Sequence, residues 1–239
     1  MKRNDQLKRT ADRLIIAIDG PVGAGKSTAA RLLAKRLGYR YIDSGAMYRA
    51  LSWKALRAGL DLNDEPRLRQ LADETSIVLE PAGDRELIFV DGQDVGRQIR
   101  DREVEQATSR ISTHPSVRAV MVAHQRQIAA QGGVVMDGRD IGTVVFPDAD
   151  VKFYVTARLE IRAQRRYLEA QAAGATRKID ELAEEIQLRD TRDMSRRASP
   201  LRKADGAVTI DTSDLPVSQV VDAMEAEIRR KIAAPEGDT

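Results

Sequence analysis

Gly20, Gly23, Gly25, Lys26 and Ser27 stand at fixed intervals in GPVGAGKS, which has the spacing G-x-x-x-x-G-K-[ST]. Residues of these types in this order make a cradle for a polyphosphate. The glycines allow a tight loop whose backbone N–H groups converge on phosphate oxygens. A helix opening from the loop adds the positive end of its dipole. Lys26 is expected to neutralise β- and γ-phosphate charge, and Ser27 to offer its hydroxyl to Mg2+. The set expected around the triphosphate is Gly20, Pro21, Val22, Gly23, Ala24, Gly25, Lys26, Ser27 and Thr28. A plain glycine turn joining strand to helix needs neither the lysine nor the hydroxyls. The motif is silent about the reaction, because switches, motors and small-molecule kinases share it.

Two more charged clusters follow short apolar runs: Asp43-Ser44-Gly45-Ala46-Met47-Tyr48-Arg49 after YRYI, and Asp137-Gly138-Arg139-Asp140 after VVM. Ligands of open α/β sheets bind beyond the carboxyl ends of the strands, so both clusters are expected beside the phosphate loop. Ser44 reads as a helix cap or as a phosphate ligand. Asp137 reads as a turn cap or as a group orienting Mg2+-bound water. Arg139 with Asp140 sets an anion donor beside a carboxylate. That pair suits a ligand with both a phosphate and a hydrogen-bonding base, since a carboxylate accepts from an exocyclic amine such as that of cytosine.

Between Arg158 and Arg202 lie ten arginines and one lysine, Lys178. Arginine is favoured where planar, bidentate recognition of phosphate matters. Arg189, Asp193 and Arg196 fall at i, i+4 and i+7, which predicts one helical face. The segment reads as a lid closing over two phosphate tails and excluding water. The alternative is a helix held by i, i+4 ion pairs worth about 0.3–0.5 kcal/mol each.

The elements that must position these residues follow from apolar periodicity. Leu14–Asp19, Tyr39–Asp43, Val134–Asp137, Val151–Val155 and Ala207–Asp211 read as strands. Residues 28–37, ended by Gly38, and 45–59, 158–173 and 216–233 read as helices, as does a segment with the apolar face Val117, Val120, Met121, His124 and Ile128. Strands alternating with helices imply an α/β fold with a parallel sheet. Ser76–Glu80 and Glu86–Asp91, joined by the five residues PAGDR, break the rhythm and predict an antiparallel hairpin, with a third short strand at Val95–Ile99. The expected organisation is a disordered extension over 1–13, a core over 14–72 and 109–233 carrying a lid at about 165–200, an inserted lobe over 73–108, and a frayed tail over 234–239.

The chain has 239 residues, 42 % of them apolar and 32 % charged, with a net charge of only +2. That balance argues against a nucleic-acid coat or a polybasic membrane anchor. Cysteine is absent, which excludes disulfides, thiolate metal sites and cysteine nucleophiles. No apolar run approaches the ~18 residues of a membrane span. A cytoplasmic protein without membrane or nucleic-acid partners is expected.

Taken together, IDGPVGAGKST, YIDSGAMYRA, DGRDIGTVVFPDADVKFYVTA and the RD-x-x-D-x-x-R of Arg189–Arg196 resemble the bacterial cytidylate kinases, a branch of the P-loop nucleoside monophosphate kinases. The resemblance runs from residue 14 to about 230. It implies a P-loop NTPase-type five-stranded parallel sheet, a small antiparallel β insert that binds the monophosphate, and a short mobile helical lid. It implies transfer of the γ-phosphate of ATP, with Mg2+, to CMP or dCMP, with Lys26, Arg139, Arg189 and Arg196 as the catalytic set. Ser44, Arg49, Arg139 and Arg189 would hold the monophosphate and its sugar. Ser109, Arg118 and Asp140 would read the cytosine. Asp193 would reach the sugar hydroxyls and Arg196 the moving phosphate, with Arg165 and Arg166 acting from the lid. Many members have Gly-Lys-Gly-Thr in the cradle where this chain has Gly-Lys-Ser-Thr; a hydroxyl for Mg2+ remains. A monomer is expected.

The acceptor phosphate is already anionic, so no general base is needed, and neither His114 nor His124 lies near the motifs. Competing readings are a kinase for another small acceptor such as UMP or shikimate, a nucleotide-binding regulatory protein, or an RNA-binding role for the arginine segment. The guanine-reading N-K-x-D of many switches is absent.

Overall fold

β1 (Ile15–Asp19) is apolar up to its last residue because both of its faces are covered. In this computed structural model, which describes residues 13–82, 85–172 and 174–233, Ile16 and Ile18 pack on one side against α1 (Lys26–Leu37) and α8 (Val217–Ala233). Ala17 faces the other side, where α2 (Ser44–Arg57), α3 (Glu65–Asp73) and α5 (Pro115–Ile128) form a second apolar layer. β6 (Val134–Gly138) repeats the alternation, with Val135 on the first side and Val134 and Met136 on the second. The five-stranded sheet has the order β2-β6-β1-β7-β8 and every pairing is parallel, as expected. β2 is Arg40–Asp43, β7 Val151–Thr156 and β8 Val208–Asp211. Gly38 ends α1 in the left-handed region at φ 67°, and its N–H returns to Ala34 and Lys35.

The inserted hairpin pairs β3 (Ile77–Ala82) with β4 (Arg85–Val90). The register runs to Ala82 opposite Arg85, so Pro81, Ala82 and Arg85 of the predicted five-residue turn belong to the strands, and the other two lie outside the described residues. Pro81 is tolerated because β3 is an edge strand, where a missing N–H breaks no ladder bond. The third strand, β5, is Gln93–Asp94, and not Val95–Ile99 as predicted. Val95 and Ile99 instead point into the core, and Gln98–Arg100 is a 3-10 turn.

α3 and α4 (Arg102–Ile111) were not foreseen, because each buries only a few side chains among many charges. α4 runs across residue 108, the expected edge of the insert, and packs on α2, where Thr108 Oγ1 donates to Ser52 Oγ at 3.0 Å. Leu79, Ile88 and Val90 of the hairpin share the apolar layer of α2 and α5. On α5 Val117 and Met121 of the predicted face are buried and Val120 and Ile128 pack against the same layer, while the buried set extends to Arg118, Val122 and Gln125, Arg118 turning inward to an ion pair. α6 (Leu159–Ala172) and α7 (Ile179–Ser195) form an antiparallel pair packed mainly on each other. The expected extension, apart from Arg13, and the expected tail at 234–239 lie outside the described residues.

Candidate active site

The carboxyl ends of β1, β2 and β6 carry Asp19, Asp43 and Asp137 to one edge of the sheet. The cradle begins there. Gly20 takes φ 149° and runs so close to β7 that a Cβ would collide with the Val155 carbonyl, so only glycine fits. Ala24 buries its methyl group in the core, and its carbonyl accepts from Thr212 Oγ1 at 2.9 Å. Lys26 is buried and donates from Nζ to the Pro21 carbonyl at 2.6 Å. Burial, reinforced by Arg139, drives its pKa down to about 7. Ser27 Oγ donates to Asp137 Oδ2 at 2.6 Å, and the Tyr41 hydroxyl donates to Asp137 Oδ1 at 2.9 Å. Burial and the nearby Asp43 push the Asp137 carboxyl above its ordinary range.

Asp19 accepts from the backbone N–H groups of Ile141 and Gly142 at 2.8 and 2.7 Å. Burial raises it to about 6 despite these bonds. It thereby anchors the single π-helical turn Ile141–Val145 and so aims Arg139 and Asp140.

A cleft of about 560 Å3 joins the cradle to the second group of charges. Val22, Gly23, Gly25, Lys26, Ser27 and Thr28 line it; Gly20, Pro21 and Ala24 shape the loop from behind. Every residue expected at the monophosphate also lines it: Ser44, Arg49, Ser109, Arg118, Arg139, Asp140, Arg189 and Asp193, together with Arg196. Asp43, not Ser44, caps α2, accepting from Ala46 N at 2.8 Å and from Arg49 Nη2 at 2.8 Å. Ser44 Oγ donates to the Asp137 carbonyl at 2.6 Å, which holds the start of α2 against β6. Arg118 and Asp140 form a buried ion pair, with the Arg118 guanidinium 5.4 Å from the centre of the Tyr48 ring.

Arg139 Nε donates to Asp193 Oδ2 at 2.9 Å, and Arg196 Nη1 lies 3.6 Å from Asp193 Oδ1. Burial opposes ionisation of Asp193, but these guanidiniums outweigh it and hold the carboxyl below its usual range. Arg196 lies just past the end of α7 on extended backbone, so it reaches the cleft by a path other than the predicted helical face. The arginine-rich segment divides. Arg165, Arg166, Arg189 and Arg196 line the cleft. Arg162 sits behind the cradle, bonded to Asp190 at 2.5 Å and to the Val22 carbonyl at 3.2 Å. Arg158 forks onto Asp214 at the surface, an ordinary exposed ion pair. His114 has a structural place, bonded to the Leu62 carbonyl at 2.8 Å.

Among the described residues no cluster of three or more His, Cys, Asp or Glu could hold a metal ion unaided. Ser27 and Asp137 nevertheless present hard oxygen ligands at the cradle, joined to each other at 2.6 Å and close to the Asp43 carboxylate. That donor set fits Mg2+ held largely by phosphate oxygens and water. Sequence reasoning missed Asp19, Tyr41 and Glu105, whose partners lie 122, 96 and 84 residues away along the chain. No helix among the described residues is long and apolar enough to cross a membrane.

A phosphate cradle opening into an acceptor cleft at the carboxyl edge of a parallel sheet defines a nucleotide-binding transferase. The cytidylate kinase family model matches residues 16–230, and the chain belongs to that family. It is an enzyme that phosphorylates CMP and dCMP with ATP. Similar proteins include a cytidylate kinase of Geobacillus thermodenitrificans (strain NG80-2), 52 % identical over 87 % of this chain and 93 % of that protein. Another is a cytidylate kinase of Caldanaerobacter subterraneus subsp. tengcongensis, 50 % identical over 90 % of this chain and 94 % of that one. Among solved structures, a gluconokinase from Sinorhizobium meliloti 1021 matches at 13 % identity and a TM-score of 0.49, over 92 % of this chain and 93 % of that one.

Proposed function

We propose that ATP and CMP or dCMP meet end to end in this cleft. The triphosphate lies on residues 20–28, with Lys26 against its β- and γ-phosphates. Ser44, Arg49, Arg139 and Arg189 hold the monophosphate and sugar, and Asp193 faces the sugar hydroxyls. Asp140, steadied by Arg118, accepts from the exocyclic amine of cytosine, with Ser109 beside it. An oxygen of the acceptor phosphate attacks the γ-phosphorus in line. The bond to the β–γ bridging oxygen breaks, and ADP leaves with its electron pair. Arg139, Arg189 and Arg196 spread the charge that develops on the moving group. Ser27, with Asp137 bonded behind it, would hold Mg2+ together with the phosphate oxygens of ATP, and the ion would supply positive charge there.

The supporting observation is the convergence of Lys26 and Ser27 with the Arg118–Asp140 pair on one continuous cleft. We read residues 73–108 as the monophosphate-binding insert, residues around 165–200 as a closing lid, and the enzyme as a cytoplasmic monomer. The lack of cysteine suits a reducing compartment. A coupled assay of ADP release with CMP, dCMP, UMP and shikimate tests the acceptor assignment. CMP and dCMP are the expected substrates. Asp140→Ala lowers the CMP-over-UMP preference roughly ten- to hundredfold, the cost of leaving one buried polar contact unmade. Equal turnover of CMP and UMP by the unaltered enzyme, or an unchanged ratio in the variant, defeats the cytosine reading.

A further inference from the structure

Glu105 stands at the mouth of the acceptor cleft, although nothing in its sequence surroundings marks it. α4 carries it one turn before Ser109, and both residues line the cavity. Its carboxylate accepts from Arg189 Nη1 at 2.5 Å and from Arg166 Nη2 at 3.1 Å. Arg49 attracts it from α2. Arg49 is itself hydrogen-bonded to Asp43, whereas α7 and α6 each set a guanidinium on the Glu105 carboxylate. Its side chain is still 35 % exposed, and it also borders a neighbouring cavity of about 700 Å3 between α4 and the α6–α7 pair. Burial opposes its ionisation, but the arginines win and hold its pKa below the usual glutamate value.

We propose that Glu105 sets the affinity of the cleft for the phosphate end of the acceptor, by occupying guanidinium donors that an incoming monophosphate must take. The inference rests on the assignment of Arg49 and Arg189 to that phosphate. A guanidinium has a finite set of donors, and a carboxylate and a phosphate present the same kind of oxygen to them. Once displaced, the carboxylate stays within a few ångströms of a dianion and repels it. The base end of the cleft, at Arg118 and Asp140, makes no contact with Glu105. The effect therefore falls on the phosphate and spares the nucleoside. A merely structural strut predicts the reverse: without it the arginines scatter and CMP binds more weakly.

Titration calorimetry with CMP and with cytidine, on the unaltered enzyme and on Glu105→Gln and Glu105→Asp, decides between the two. Glu105→Gln is expected to bind CMP about tenfold more tightly, with cytidine affinity unchanged to within about twofold. Glu105→Asp, which keeps the charge, returns the affinity to that of the unaltered enzyme. The gain shrinks as salt is added, because the repulsion removed is electrostatic. CMP binding by Glu105→Gln that is unchanged or weaker overturns the proposal, as does an equal gain for cytidine. If the unaltered enzyme binds no CMP, the reading beneath fails and takes this one with it. Normal CMP binding without the glutamine effect counts against Glu105 alone.

Discussion

At the scale of single residues, the site is a crowd of buried charges whose balance depends on phosphate. Lys26 is enclosed and spends its proton on the Pro21 carbonyl, with a pKa brought down to about 7 by burial and by Arg139. At pH 8 it is therefore mostly neutral, and triphosphate oxygens beside it restore the charge. Binding of a non-hydrolysable ATP analogue at pH 8 should take up about half a proton or more per site, read from calorimetry in buffers of different ionisation enthalpy. Asp19, at about 6, is already ionised at that pH and does not mask the uptake. Binding heats that do not depend on the buffer overturn the account of Lys26. Lys26 and Ser27 were legible in the sequence because their meaning lies in a contiguous spacing. Tyr41 was not, because its link to Asp137 joins adjacent strands from distant parts of the chain.

At the scale of elements, the β3–β4 hairpin is tied to the edge strand β2 where Arg40 Nη2 donates to the Leu79 carbonyl at 2.7 Å. Burial and the Asp43 carboxylate raise Glu86 from 4.5 to about 7. A carboxyl raised on folding stabilises the folded state fully below its unfolded pKa, and that contribution is lost as pH rises through the folded value. Between pH 5 and pH 8 the melting temperature of the unaltered protein should fall relative to Glu86→Gln, by about 2–4 °C for each kcal/mol lost. Parallel curves for the two proteins would show that Glu86 does not titrate as described. The hairpin was legible as two short apolar runs, Ile77–Leu79 and Leu87–Val90, on either side of a turn-like segment. Its turn length was misjudged because Pro81 reads locally as a turn residue, while its edge position lets it stay in the strand.

At the scale of the whole molecule, the sheet is clamped between two apolar layers, whereas the α6–α7 pair meets the rest largely through polar contacts, both ion pairs and hydrogen bonds such as those of Arg165 to Thr212. Arg139–Asp193, Arg189–Glu105, Arg166–Glu105 and Arg102–Glu185 cross that boundary. Those at the surface, such as Arg102–Glu185, are weak individually and sensitive to salt, so the α6–α7 pair forms a unit of low local stability. Amide hydrogen exchange in α6 and α7 should be faster than in β1 and β6, faster still in high salt, and slowed when CMP and a non-hydrolysable ATP analogue bind together. Exchange in α6 and α7 as slow as in β1, with or without ligand, removes the case for a closing lid. By itself the sequence determined the phosphate cradle, the alternation of strands and helices and the supply of arginines, since each is a property of neighbouring residues. Only the tertiary structure decided which charges meet. Asp19 fixes the turn that aims Asp140, Arg118 faces inward to that carboxylate, and Arg189 pairs with Glu105. The reason is physical: a buried charge takes its partner from whatever the packed elements bring within hydrogen-bond reach, and no local periodicity encodes that distance.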